Sequence, residues 1–417
     1  MDLQSASRHA WFVPIACTVL VAQDDGAAAR EWIGHAPFAI WTRILGDCAG
    51  GRTWLEEHGI EVAGGWTADW SAAWNGGLRN RATLGSLLDV NVGLDLERLA
   101  GIPHTLAFVD CYSIQGRDPS DDVGDIQSFS NIQAPDTDQV AEAWIETAPA
   151  DWLRCKFGKI DFNSEFAFTE EGGEFINSSA AVSPTIVGYP TYPDPATALL
   201  VFVTPAEVWY VGAGVFDGAG ADGIRTGRHG FKGPFEDEQS DALFSVLEVG
   251  HSWAGGDSWG SGRLAVGGWY HSARFTRFDS TTARGASGFY AVFDQRLWRE
   301  DPTDAESTQG VGFTAQVAVT EDDVSAIALC VVAGVVWIGA IDDRDDDATG
   351  FLIAHAGLTD DPAAGFQGDE TAFELFYKLQ LTPAISLKPD LQFIVDPGGD
   401  PTVDDALVGT LRFEFTF

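Results

Sequence analysis

Basic residues are scarce in this sequence. Only 24 Lys and Arg stand against 62 Asp and Glu, which gives a formal net charge of −38. A protein that binds nucleic acid needs basic surface to neutralise phosphates, so this composition excludes nucleic acid as a partner. An acidic surface or channel repels anions and suits neutral or cationic solutes instead.

Cysteine is also scarce, and sequence motifs for chemistry are missing. The five cysteines show no CxxC spacing and no close pairing with histidine, so the sequence predicts no metal site and no cofactor. It contains no GxSxG, P-loop, HExxH or strand-linked GxGxxG motif. Carboxylate pairs arise by chance among so many acidic residues, so a glycosidase has little specific support. The sequence therefore predicts no enzyme.

Long apolar runs are almost absent. One run, at residues 10–22, is followed by small residues at 27–29 and predicts a weak signal peptide over residues 1–29. The other, Ser325–Ile341, is short for a membrane helix and contains β-branched residues and glycine, which favours a strand with its turn. Without a long apolar helix, a chain that spans a membrane must form a closed barrel.

What the sequence does contain is a two-residue hydrophobic period. The final segment alternates apolar with polar residues: Leu411, Phe413, Phe415 and Phe417 against Thr410, Arg412, Glu414 and Thr416. One face of such a strand is apolar and the other polar. Taken alone, this segment fits either the last strand of a membrane barrel or that of a soluble sandwich.

The same period recurs in fifteen earlier segments. The sixteen predicted strands lie near residues 58–70, 87–96, 103–112, 138–147, 152–161, 197–204, 207–216, 242–253, 261–272, 287–298, 310–320, 325–338, 349–358, 371–382, 385–395 and 406–417. This even number predicts an all-β fold, a sixteen-stranded antiparallel transmembrane β-barrel over residues 58–417. Before it, residues 30–57 include a predicted short helix that is closed by Gly59.

Strand parity identifies candidate pore-lining residues. In the segment 138–147, the predicted inner face is Val140, Glu142, Trp144 and Glu146, and the predicted lipid face is Gln139, Ala141, Ala143 and Ile145. Arg154 and Lys156 share the inner face of the next strand, within reach of Glu142 and Glu146. These charges are interpreted either as contacts for a solute in the lumen or as a salt-bridge ladder that only supports the wall.

Other inner faces combine aromatic and charged side chains. Trp269 and His271 share one predicted inner face, Tyr290, Asp294, Arg296 and Trp298 share another, and Arg412 and Glu414 lie on that of the final strand. Aromatic rings offer apolar faces to a solute in the channel, while charged groups exchange hydrogen bonds with its polar groups. For Trp269 the alternative is an interfacial aromatic at the barrel rim.

The connection at residues 162–196 is the best candidate for a constriction. It is one of three long connections, with those near 113–137 and 217–241, and four prolines stiffen it. Its candidate residues, with the end of the preceding strand, are Asp161, Asn163, Glu165, Phe166 and Asn177. The alternative is an outward surface loop.

Several ordered segments resemble one family, the carbohydrate-selective outer-membrane porins (the OprB family). The segments are Leu94–Leu99, Gly124–Gln127, Gly158–Phe166, Phe175–Ser178, Tyr192–Ala196, Val215–Gly218, Asp343–Asp347 and Pro389–Phe393. The resemblance covers residues 50–417, and its departures are Cys48, Cys111, Cys155, the heavy acidity and the poor signal peptide.

The resemblance implies passive diffusion of neutral sugars across the outer membrane, through a channel narrowed by inward-folded loops. Expected partners are outer-membrane lipid, lipopolysaccharide and the barrel-assembly machinery, which would recognise the C-terminal Phe417. The expected state is a monomer or a homotrimer. Two alternatives stay open: a general or cation-preferring porin, and a secreted soluble β-protein that binds or cleaves polysaccharide.

Overall fold

The computed structural model describes residues 38–225, 240–256, 260–301 and 307–417. The predicted signal peptide lies outside these residues, as do the start of the 30–57 segment and part of the long connection at 217–241. The strands are β1 (Ile60–Asn75), β2 (Ala82–Asp95), β3 (Thr105–Gly116), β4 (Thr137–Ala150), β5 (Leu153–Ile160), β6 (Ala196–Ala206), β7 (Trp209–Asp217), β8 (Leu243–Trp253), β9 (Gly262–Thr276), β10 (Thr282–Arg299), β11 (Gly310–Thr320), β12 (Ile327–Ile338), β13 (Ala348–Leu358), β14 (Glu370–Thr382), β15 (Ile385–Val395) and β16 (Ala406–Thr416).

These strands form one closed antiparallel barrel in which every strand pairs with its neighbours in sequence. The last strand closes it, because β16 pairs with β1 from Gly65 opposite Thr416 to Asn75 opposite Leu407. Closure satisfies the backbone of both edge strands, as a membrane barrel requires. The predicted sixteen-stranded fold is confirmed, and each predicted strand is present.

The helical elements are short. They are α1 (Gly51–Glu57), α2 (Leu96–Ala100), α3 (Ser120–Val123) and the 3₁₀ turns Phe38–Ile40, Phe162–Ser164, Ser178–Ala180, Ala219–Asp222 and Pro397–Gly399. The predicted helix before the first strand is α1, and the Asp47 carboxylate accepts from Thr53 N in its first turn at 2.7 Å. Over the described ranges, no helix has the length and apolar character needed to cross a membrane.

The two ends of the barrel differ in their connections. The end that carries Phe417 has the two-residue turns at 151–152, 207–208 and 383–384. The opposite end has the three longest connections, among them the β3–β4 loop (117–136) and the β5–β6 loop (161–195). The three long connections that the sequence predicts therefore lie at one end of the barrel, and the connections 277–281 and 321–326 at the same end are short.

The outer wall is apolar, as the period predicts. Large side chains on it include Trp70, Leu84 and Phe289, whose exposed fractions are 56%, 63% and 66%. On a soluble protein such a continuous apolar surface would aggregate, whereas on a membrane barrel it faces lipid.

Two β-bulges overturn parts of the parity prediction. In β4, Glu142 pairs with Asp110 but Val140 pairs with the exposed Cys111, so Ala141 is an extra residue and Gln139 turns inward, with Val140 outward. A second bulge between Arg296 and Trp298 in β10 turns Trp298 outward, where it is 40% exposed and packs edge-on against Trp337. The bulges reverse the parity because each inserts one residue on one strand only.

The barrel interior is not polar throughout, because part of the inner face is apolar and packs against a loop. Aromatic residues of the β5–β6 loop pack against aromatic residues of the inner wall, in the contacts Phe166–Phe202, Phe162–Phe244 and Phe175–Phe376. Their ring centroids lie 5.2–5.3 Å apart. Burying a phenylalanine stabilises the fold by about 1.5–3 kcal/mol, so this packing holds the loop inside the barrel. The prediction of an inward-folded loop is confirmed.

Candidate functional site

The β5–β6 loop crosses the barrel interior and is held by carboxylates of the wall. The backbone N–H groups of Ala167 and Glu171 donate to Glu248 on β8 at 3.0 Å and to Asp294 on β10 at 3.1 Å. Further along, the N–H of Ile176 donates to Glu374 on β14 at 2.6 Å. Because these strands follow one another around the wall, the loop spans much of the lumen. It therefore narrows the channel.

The start of the loop is fixed by three of the predicted site residues. The Asp161 carboxylate accepts from Asn163 N at 2.7 Å and from Tyr192 N at 2.7 Å, so it ties the two ends of the loop together. Burial raises its pKa despite these hydrogen bonds. Glu142 accepts from Asp161 N at 3.0 Å, and the Asn163 amide donates to the carbonyl of Phe166 at 3.2 Å. Asp161, Asn163 and Glu142 thus shape the loop.

A charged cluster forms where the loop meets β4 and β5. The Glu165 carboxylate lies 2.7 Å from Lys156 Nζ and 2.7 Å from Arg154 Nη2, and Arg154 also contacts Glu146 at 2.8 Å. Burial opposes ionisation of Glu165, but the charges of Lys156 and Arg154 outweigh it and lower the pKa to about 2. The predicted pairing of Glu146 with Arg154 is present, and Glu165 from the loop completes the cluster.

A second cluster forms where the loop meets β14, β15 and β16. Glu174 lies 2.8 Å from Lys378 Nζ and 2.9 Å from Lys388 Nζ, and Lys388 is 3.8 Å from Glu414. Burial opposes ionisation of Glu174, but the two lysines hold its pKa well below the usual range. Glu414 also accepts a hydrogen bond from Ser386. Glu414 therefore faces inward, as predicted, and its side chain stays partly exposed.

A third contact joins the loop to β10. Glu171 lies 3.1 Å from Arg296 Nε. Burial raises the pKa of Glu171 to about 7, because the Asp294 and Glu170 carboxylates add to desolvation and Arg296 only partly offsets them. This contact therefore changes charge near neutral pH, whereas Glu165 and Glu174 stay ionised.

The ion-pair belt is the name used below for these three contacts. Its members are Glu146, Arg154, Lys156, Glu165, Glu171, Glu174, Arg296, Lys378, Lys388 and Glu414. Each wall member lies within four residues of its strand's Phe417 end. The belt therefore rings the narrowed channel in that half of the barrel.

An aromatic surface adjoins the first cluster. Trp144 stacks on Phe108 of β3 with ring centroids 4.9 Å apart, and Lys156 Nζ lies 3.6 Å from the centre of the Trp144 ring. Trp144 is buried but Phe108 stays partly exposed. A cation held against an aromatic ring stabilises both side chains. Trp144 thus faces inward, as parity predicts, beside the belt.

Other predicted residues are buried away from the channel. Phe166 is 0% exposed, and Trp269 is 3% exposed and stacks on Phe244 at 5.8 Å. His271 is also fully buried beside Phe244. Parity is right that Trp269 and His271 point inward, but loop packing covers them. In this structure they present no surface on which a sugar ring stacks.

Two more predicted residues hold the structure together. The Arg412 guanidinium binds Asp69 across the closing seam with contacts of 2.7 and 2.8 Å, and it contacts Asn131 of the β3–β4 loop at 2.8 Å. Asn177 is buried, and its side-chain amide donates to Gln392 at 3.1 Å. Both side chains use their polar atoms on protein partners.

Sequence reasoning missed the loop members Glu171 and Glu174. Their wall partners Arg296, Lys378 and Lys388 lie on inward-facing strand positions that parity identifies. The sequence does contain a signal for these contacts. The loop carries three glutamates, at 170, 171 and 174, and the strands around it carry basic residues at inward-facing positions. Over the described ranges, no group of three or more His, Cys, Asp and Glu is arranged to hold a metal ion.

Comparison with known proteins identifies the family. The model described as carbohydrate-selective porin, OprB family, matches residues 79–417. Porin B of Pseudomonas aeruginosa is 25% identical over 441 residues, 94% of each chain, and the putative porin QuiX of Acinetobacter baylyi is 22% identical over 445 residues, 95% of each. The high-pH structure of Pseudomonas putida OprB matches with a TM-score of 0.79 at 20% identity, covering 92% of this chain and 100% of that one. The chain belongs to the carbohydrate-selective porin, OprB family.

Proposed function

We propose that this outer-membrane porin conducts neutral sugars passively and selects them at the ion-pair belt. The protein is a porin of the carbohydrate-selective family in the outer membrane. The proposal adds which residues select the solute and why neutral sugars are preferred over ions. It involves no chemical step, so the chain acts as a channel and not as an enzyme.

The observation that carries the proposal is the pairing of loop carboxylates with wall cations. The chain has a net charge of −38, yet Glu165 and Glu174 each sit between two basic side chains at 2.7–2.9 Å. Paired charges produce a short-range field, so the belt offers little net attraction to either ion sign. A neutral solute passes such a ring without a charge penalty.

The belt also offers partners for hydroxyl groups. Side chains of Arg154, Glu146, Glu174 and Glu414 keep 20–27% of their surface exposed. Guanidinium groups donate and carboxylates accept, so a sugar hydroxyl finds both kinds of partner as it leaves water. The partly exposed Phe108 adds apolar surface for a pyranose face. Each contact is weak, which lets the solute leave again.

The experiment is single-channel recording in planar bilayers with increasing concentrations of neutral sugars. We expect sugar to reduce the ionic current in a saturable way, and R154Q to raise the half-blocking concentration about tenfold, equivalent to about 1.4 kcal/mol. The control is R284Q, because Arg284 is exposed at the opposite end of the barrel. The proposal fails if no sugar reduces the wild-type current.

A cation-preferring porin is the second candidate, because the whole chain is strongly acidic. An acidic entrance concentrates cations even where the constriction is charge-balanced. A reversal potential measured across a salt gradient separates the two. A large cation preference combined with no sugar block would favour this candidate.

Assembly and lipid contacts complete the proposal. Phe417 donates its backbone N–H to Gly64 O at 3.0 Å, at the barrel edge where β16 meets β1. We propose that this terminal residue is the contact for the barrel-assembly machinery. Acidic loops at the opposite end are proposed to meet lipopolysaccharide through divalent cations, and the barrel is proposed to act as a monomer or a homotrimer.

A further inference from the structure

The two inward loops are joined to each other inside the barrel. The Asn131 N–H donates to Ile176 O at 2.8 Å, and the Ser178 N–H donates to Ser128 O at 2.9 Å. The Asn131 side-chain amide also donates to Phe175 O at 3.1 Å. The loop junction is the name used below for residues 128–131 and 175–178. It makes the β3–β4 and β5–β6 loops one unit.

One wall residue, Glu374 on β14, binds backbone groups of this junction. Its side chain is 0% exposed, and its two oxygens accept from the N–H groups of Ile176 at 2.6 Å and Asn177 at 2.9 Å. Its neighbour Gln392 on β15 accepts from the Asn177 amide at 3.1 Å and donates to Phe129 O at 2.7 Å. The β14–β15 wall thus contacts both halves of the junction.

The geometry of this contact suits a carboxylate. Glu374 presents one oxygen to each of two consecutive backbone donors, and a carboxylate offers acceptors only. A glutamine in its place would present one acceptor and one NH₂ group, so one buried N–H would face another donor. A buried donor without a partner is costly, so the loop would leave this position part of the time.

The position of the junction determines the geometry of the belt. Glu174, which contacts Lys378 and Lys388, lies two residues before Ile176 and immediately before Phe175. A shift of Ile176 therefore moves Glu174 away from its lysines. We propose that Glu374 is the positioning residue of the constriction, holding both loops so that the belt stays assembled. This inference rests on the proposed function only in its expected effect on sugar binding.

The test is the isosteric variant E374Q, refolded as the full barrel and recorded in planar bilayers. In salt alone we expect additional conductance levels, because the loop pair samples more than one position. With sugar we expect the half-blocking concentration to rise about tenfold, as the binding-competent fraction falls to about one tenth. The temperature of the heat-modifiable gel shift reports barrel stability separately.

The matched control is E321Q, which removes the same charge from an exposed turn where the Glu321 carboxylate accepts from the Ser287 hydroxyl at 2.8 Å. It should keep a single conductance level and the wild-type half-blocking concentration. If E374Q behaves in the same way, the proposal is overturned. A purely structural role would lower the gel-shift temperature without new conductance levels, which also overturns it.

A second variant covers the case in which E374Q does not fold. N131A loosens the same junction from the loop side, because it removes the amide contact with Phe175 O. It must also show additional conductance levels, and a single level would overturn the proposal. If wild-type current is insensitive to every sugar, the proposed function fails, while the recordings in salt alone still decide the role of Glu374.

Discussion

Replacing Glu165 by glutamine tests whether the belt is held by charge. The variant E165Q keeps the size and polarity of the side chain and removes its negative charge. Lys156, whose side chain is only 6% exposed, then loses a carboxylate at 2.7 Å, and Arg154 keeps its ion pair with Glu146. We expect the loop to be held less tightly and the channel to gain one positive charge.

The magnitude follows from the ionisation of Glu165. Its pKa falls from an ordinary 4.5 to about 2 in the folded barrel. Each pKa unit corresponds to ~1.4 kcal/mol in the protonation equilibrium, so the folded barrel stabilises the ionised form by about 3 kcal/mol. Little solvent screening applies, since the side chain is 9% exposed. Removing one partner of a buried ion pair costs about 3–5 kcal/mol, which agrees in size.

The assay is urea unfolding of the refolded barrel in detergent, for wild type and E165Q over a range of pH. A lowered carboxylate pKa contributes stability that is complete above the unfolded value of 4.5 and is lost as pH falls towards about 2. We therefore expect wild type to exceed E165Q by about 3 kcal/mol at pH 7. The difference should shrink as the pH falls from 4.5 towards about 2, because the unfolded wild-type chain protonates Glu165 over this range while the folded barrel keeps it ionised.

A constant difference at every pH would refute the reasoning, since it would mean that E165Q acts through packing. No difference at pH 7 would show that the belt does not hold the loop. The control is again E321Q, which removes a charge from an exposed turn and should leave unfolding unchanged at every pH. Reversal potentials give an independent check, because E165Q should shift ion preference towards anions more than E321Q does.

Lowering the pH from 8 to 5.5 should shift ion preference towards anions, because Glu171 with its pKa of about 7 becomes neutral beside an arginine; E171Q should reduce this shift in reversal potential. W269A should lower the unfolding free energy by about 3–5 kcal/mol and leave the half-blocking sugar concentration unchanged, since Trp269 is buried. R412A should lower stability by about 3–5 kcal/mol in urea unfolding, because Asp69 stays buried without its cation. Deleting Phe417 should reduce the amount of heat-modifiable barrel in isolated outer membranes.

The fold was predictable because a membrane barrel imposes one simple rule on its strands. Lipid outside requires apolar residues at every second position, and this signal depends only on neighbouring residues in sequence. The segment at 371–382 is an example, because its period alone locates β14 (Glu370–Thr382) to within one residue. Short turns such as 383–384 then indicate at which end of the barrel each strand begins.

The inner face was predicted less well, because some inward side chains line the channel and others are covered by a loop. Parity correctly turns Arg154 and Trp269 inward, but it cannot say which becomes covered by a loop. Arg154 remains partly exposed beside the channel, whereas Trp269 is covered. Gln139 and Trp298 were assigned to the wrong faces because a bulge depends on the partner strand and leaves no two-residue signature.

The sequence by itself determined the sixteen strands, the closed barrel and the outward apolar band, since each follows from local alternation. Only the tertiary structure decided where the channel is narrow and what charges it carries. Glu174 meets Lys378 and Lys388 across more than two hundred residues of chain. Such contacts depend on how a long loop packs inside a cavity, because burial of its aromatic residues fixes its path and no local pattern encodes that path.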